Sequence, residues 1–188
     1  MISIRNSTFE TNSSSTHSLA VPKSVDSIPN AVRFHFGTFG WELESDIDPA
    51  SYLYTAIVTG DEIRRNKYLP MLKDIMDRHH IKAKYAEYEL SEYEWDGKVE
   101  QYVDSKYGYI DHNSDLEYFL EWLFEDEDRV LRFISDGLVF TGNDNDDYSS
   151  FFIGRNEKEV YNWETGKDEP NPYYMENWSD YDWFFKGN

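Results

Sequence analysis

Charge and aromatic side chains are segregated along this chain, and that segregation limits what it can fold into. Residues 1–84 carry ten basic and ten acidic side chains, whereas residues 85–188 carry eight basic and 27 acidic, so the whole formal charge of −19 falls in the second part. The same part holds 25 of the 33 aromatic residues. High net charge with only 39% hydrophobic residues leans toward disorder. Phe, Tyr and Trp lean the other way, because each buries a large area and all three are scarce in disordered segments. The balance predicts a folded chain whose core is sparse in aliphatic residues and heavy in aromatic ones. At 188 residues it suits a single compact domain. The expected class is α+β, a small mixed or antiparallel sheet with several helices, in which residues 1–84 form a charge-neutral part and 85–188 an acidic, aromatic-rich part.

Composition excludes several chemistries. The chain has no cysteine, so disulfides, thiolate zinc sites, iron–sulfur clusters and a cysteine nucleophile are out of reach. No apolar run approaches the roughly 18 residues of a membrane span, and the first residues lack the basic and apolar regions of a secretory signal. The reading is a soluble, intracellular protein. Its charge opposes unaided binding to nucleic acid.

Periodicity places the elements. Alternation predicts a strand over residues 1–5, a polar loop over 6–18, a returning strand at Leu19-Ala20-Val21 stopped by Pro22, and a strand over 32–36 before a turn at Gly37 and Gly40. Asp48-Pro49 reads as an N-cap with proline in the first helical position, opening a helix that stops at Gly60. A second helix is expected from about Pro70 to His79-His80. Residues 85–109 fit a hairpin, an irregular helix or an arm equally well. Ser114-Asp115-Leu116-Glu117 is a capping box. It opens a helix whose stripe is interrupted at 125–128, resumes at Val130, Leu131 and Ile134, and ends at Asp136-Gly137. Strands are expected at 138–141 and 149–153. From Pro170 onward, loop and short helix are expected.

The segment with the densest chemistry is F-E-T-N-S-S-S-T-H-S, residues 9–18. Such a run is compatible with an exposed loop, because Ser, Thr and Asn satisfy loop backbone. It also holds a carboxylate, an amide, an imidazole and several hydroxyls. Glu10 and His17 are candidates for an acid–base pair, with Asn12 beside them. The backbone or hydroxyls of Ser13, Ser14 and Ser15 could cradle a phosphate, and Arg5 could neutralise a developing phosphorane. Those are the parts of metal-independent RNA cleavage. Arg64, Arg65 and Lys67 form a small basic cluster that reads either as ordinary surface charge or as an RNA-backbone contact, and Lys82 with Lys84 forms another. His79-His80 suits a helix C-terminus, while His35 and His112 read as structural. No helical His pair marks a zinc site. The run 143–147 fails the calcium-loop pattern, since Tyr148 and Gly154 stand where Gly and Glu are required. No metal or organic cofactor is expected. There is no P-loop, dinucleotide fingerprint or nucleophile elbow.

The opening residues I-R-N-S-T-F-E-T-N-S-S-S-T-H-S-L resemble a start shared by small proteins of phages and mobile elements in Gram-positive bacteria, R-x-x-x-F-E-T-N-S-S-S-x-H-S. Thr141-Gly142-Asn143-Asp144-Asn145 is also similar to that group. The group resembles an anti-CRISPR inhibitor of type II effector nucleases, of the kind associated with guide-RNA truncation. The resemblance covers about a tenth of the chain. It implies a protein of the bacterial cytoplasm whose partners are a type II effector nuclease and its guide RNA. On that reading the acidic part docks on the basic channel of the nuclease, and Glu10 and its neighbours promote guide cleavage. Two alternatives stand beside it: a non-catalytic nucleic-acid mimic, and a phage enzyme acting on a small ligand or nucleotide.

Overall fold

The computed structural model describes residues 15–40, 46–111, 116–143, 157–172 and 174–186. The strand expected at residues 1–5, the capping residue Ser114, His112, Asp144 to Asp147 and the strand expected at 149–153 lie outside them. In chain order the elements are β1 (Ser15–Pro22), β2 (Ala31–Phe34), β3 (Thr38–Phe39), α1 (Pro49–Val58), α2 (Glu62–Arg78), β4 (Lys82–Tyr85), β5 (Leu90–Trp95), β6 (Lys98–Val103), β7 (Tyr109–Ile110), α3 (Glu117–Phe124), α4 (Glu127–Asp136), β8 (Leu138–Asn143), β9 (Glu159–Asn162), β10 (Lys167–Pro170) and β11 (Tyr181–Lys186). The class is α+β, as expected.

The described strands form five small sheets rather than one. The largest is antiparallel, with β1 between β11 and β8. β2 pairs in parallel with β4, and β3 with β7. Two hairpins, β5–β6 and β9–β10, stand alone as two-stranded sheets.

Helix α1 is the hub. Asp48 caps it by accepting from the amides of Ala50 and Ser51, and Pro49 fills its first turn. Every residue from Ala50 to Val58 is buried, which suits a helix apolar all round. It packs against α2, α4, β2, β7 and β8. Its buried polar groups find partners within the fold. Thr55 Oγ1 donates to Ser51 O and accepts from Gly37 N, and Tyr54 Oη donates to Ala86 O at 2.7 Å. The core around it runs from Leu19 to Val139 and so draws on both parts of the chain. Tyr52, Tyr54, Tyr68, Phe34 and Phe133 are its largest fully buried side chains, but aliphatic residues are more numerous. The core is therefore not the aliphatic-poor one expected: 23 of its 31 buried residues are non-aromatic.

Four expectations are corrected. Strand β1 begins at Ser15, so Ser15, Thr16, His17 and Ser18 belong to the central strand of a sheet and not to a polar loop. Helix α2 starts eight residues before Pro70, where Asp61 caps it by accepting from Arg64 N at 2.7 Å. Pro70 lies on its exposed side. The long helix expected after residue 114 is two helices: Asp126 caps α4, and Arg129 bridges the break by donating to Trp122 O and lying 4.3 Å from the Trp122 ring centre. The C-terminal stretch supplies β11, paired with β1 from His17 to Pro22.

Candidate functional site

His17 sits in the middle of β1, with none of its surface exposed. Its Nδ1 is 2.7 Å from Tyr52 Oη, its Nε2 is 3.3 Å from Ser15 Oγ, and Ser15 Oγ donates to Asp111 O at 3.3 Å. The terminal acceptor is a carbonyl, which fixes the direction of the chain. Ser15 gives its proton to Asp111, so His17 Nε2–H donates to Ser15, and Tyr52 donates to Nδ1. Both ring nitrogens are engaged. Burial holds the Tyr52 hydroxyl well above the usual tyrosine range, which keeps it a donor. The cluster ties the central strand to the hub helix and to the end of β7. Ser15 is equally buried, in extended ladder backbone opposite Asn143, which is not the geometry of a phosphate-cradling turn. Arg5, Glu10, Asn12, Ser13 and Ser14 lie outside the described residues.

The basic cluster of α2 is likewise turned inward. Arg64 is 5% exposed, and its Nε donates to Glu117 at 3.0 Å. Arg65 is 4% exposed. Its Nη2 donates to Gln101 O at 2.9 Å, and Nη1 reaches Val58 O and Gly60 O at 3.4 and 3.5 Å. Both arginines are buried and tie elements of the fold together. Lys67 is exposed, with Nζ 4.6 Å from the Tyr68 ring centre. Lys82 and Lys84 are exposed on β4. His79 caps α2 and lies 3.4 Å from Glu127. His35 is exposed just past β2, with its backbone N–H 3.4 Å from Ser51 Oγ.

The accessible site is elsewhere. Between residues 87 and 103 stand six carboxylates, Glu87, Glu89, Glu92, Glu94, Asp96 and Glu100, against one base, Lys98. All seven are exposed. Glu92, Glu94, Asp96, Lys98 and Glu100 ride on the β5–β6 hairpin, with Glu87 and Glu89 on the segment leading into it, and the register pairs Glu92 with Gln101, Tyr93 with Glu100 and Glu94 with Val99. The turn is Asp96-Gly97, with φ of 51° and 74°. Two successive positive φ values are the signature of a type I′ turn. Leu90, Tyr93, Val99 and Tyr102 are exposed as well, so neither face of the hairpin is covered. A free two-stranded hairpin is marginally stable. This one is held at its base by buried Val103 and by the Arg65 bond to Gln101 O. A second exposed aromatic group, Trp163 with Tyr161, sits on the β9–β10 hairpin, where Trp163 is 89% exposed.

Of the three forms that residues 85–109 fit by sequence, the hairpin is the one present, and Asp96-Gly97 between the two runs is its local signal. Among the described residues, no group of three or more His, Asp or Glu side chains is placed to hold a metal ion, and no helix is long and apolar enough to cross a membrane. Comparison with protein-family models, with curated proteins and with solved structures finds no match.

Proposed function

We propose that this protein is an inhibitor that docks its acidic β5–β6 arm on the basic nucleic-acid channel of an RNA-guided type II effector nuclease. The observation that carries this reading is the arm itself. Four carboxylates and four exposed apolar or aromatic side chains stand on a hairpin with uncovered apolar surface on both faces, and two more carboxylates stand on the segment leading into it. Carboxylates steer the encounter with a basic groove, and the apolar side chains supply area to bury once it forms. A channel that holds a heteroduplex by its backbone presents the matching charge. The type of partner rests on the N-terminal resemblance. Docking is favoured over guide cleavage because His17, Arg64 and Arg65 are engaged inside the fold.

The test combines a type II effector, its guide RNA and this protein, and follows both complex formation and guide length on a denaturing gel, with and without EDTA. A complex that forms with full-length guide, and weakens at least tenfold when Glu92, Glu94 and Glu100 are replaced by Gln, is the expected result. Shortened guide would replace this reading with the nuclease activity that the N-terminal resemblance implies. No complex would remove both.

A further inference from the structure

The β5–β6 arm and the α1–α2 turn enclose a cleft of about 610 Å³, and we propose that it is the anchor site for an arginine side chain of a basic protein partner. The inference rests on the docking reading and names what that docking recognises. One wall is the arm face on which register places Tyr93, Glu100 and Tyr102 together. The other wall is the first turn of α2, with Asp61, Glu62 and Ile63. Ile63 is 78% exposed and Tyr93 and Tyr102 about half exposed, so both walls offer uncovered apolar surface.

Chemistry selects the occupant. Three carboxylates line the cleft, and the one cation behind it, Arg65, is engaged with the carbonyls of Val58, Gly60 and Gln101, so the open face is acidic and a phosphate is repelled. A purely apolar ligand would strip water from the carboxylates without replacing their hydrogen bonds. The same carboxylates do not converge as a metal cluster. A guanidinium satisfies every wall, because its plane stacks on tyrosine rings while its N–H fork meets carboxylate oxygens. It is also less strongly hydrated than an ammonium, which favours arginine over lysine. The volume exceeds one side chain and admits the backbone that carries it.

The cleft is preorganised. Arg65 reaches Val58 O and Gly60 O on one wall and Gln101 O on the other, which fixes their separation before a partner arrives.

The test titrates the isotope-labelled full chain with N-acetyl-arginine methylamide and follows its amide resonances. Parallel titrations use the citrulline and lysine analogues. Shifts gathered at residues 60–63 and 100–102, weaker with lysine and lost with citrulline, support the site. E100Q and Tyr102→Leu should each weaken arginine binding about tenfold, with the cross-strand amide pattern of the arm showing that it remains folded. Shifts spread over the whole acidic surface, or unchanged in both variants, overturn it. Arginine seated in the cleft without nuclease binding keeps this site and removes the docking reading. Nuclease binding with no arginine effect does the reverse.

Discussion

The residues richest in recognisable chemistry are the ones the fold uses for support. His17 lies between Tyr52 and Ser15 with no exposed surface. Tyr52→Phe should therefore act on stability: it removes the buried 2.7 Å hydrogen bond to the imidazole, at a cost of about 1–3 kcal/mol in denaturant unfolding. Arg65→Met removes three carbonyl partners and should destabilise by about 2–4 kcal/mol, with faster amide exchange in β5 and β6 than elsewhere. Tyr85 makes the opposite case. Its hydroxyl is buried without a hydrogen-bond partner among the described residues, and burial, aided by Asp77, pushes it up to about 12. Unfolded tyrosine ionises near pH ~10. The stability held in this neutral hydroxyl is therefore complete below that pH and is lost as pH rises toward 12. Tyr85→Phe should be neutral or slightly stabilising at pH 7, and should flatten the alkaline fall in stability. None of these roles could be read from residue type. The sequence shows a histidine among hydroxyls and two adjacent arginines, and burial is set by elements far away in the chain.

At the level of elements, local chemistry was legible wherever it acted alone. Asp48-Pro49 opens α1 as its sequence implies, Gly137 closes α4, and Pro22 ends β1. Errors arose where two signals competed. In α2, Pro70 suggested a start, but Asp61 caps the helix and the stripe Tyr68, Leu72, Ile75 and Met76 runs past the proline on the buried side. Proline inside a helix is unfavourable, and Pro70 is exposed. Pro70→Ala should therefore raise stability by about 1 kcal/mol or more, seen as a higher Tm. In the polar segment, hydroxyl residues suggested a loop, but pairing with β8 and β11 draws Ser15 to Ser18 into the sheet. The arm depends on one position. Gly97 has open space around it but a φ of 74°, so Gly97→Val strains the turn without a clash. Its expected signature is loss of exchange protection in β5 and β6 with the unfolding midpoint of the body nearly unchanged.

Across the whole molecule, the charge asymmetry read from composition becomes a division of roles. The neutral part contributes the hub helix α1, the staple Arg65 and 19 of the 31 buried core residues among those described, and the acidic part contributes the other 12 together with the arm. Uncompensated carboxylates on an outlying hairpin do little for the stability of a core, and the proposed docking gives them a use. Charge-driven docking has a clear thermodynamic mark, because exposed charges are screened as the Debye length shrinks from about 10 Å at 0.1 M salt to about 3 Å at 1 M. The most direct test is the affinity of this protein for a guide-loaded type II effector measured across that range. The account predicts a steep loss of affinity with rising salt, with a slope that flattens when Glu92, Glu94 and Glu100 are replaced by Gln. Affinity that stays level with salt, or a slope unchanged in that variant, would contradict it.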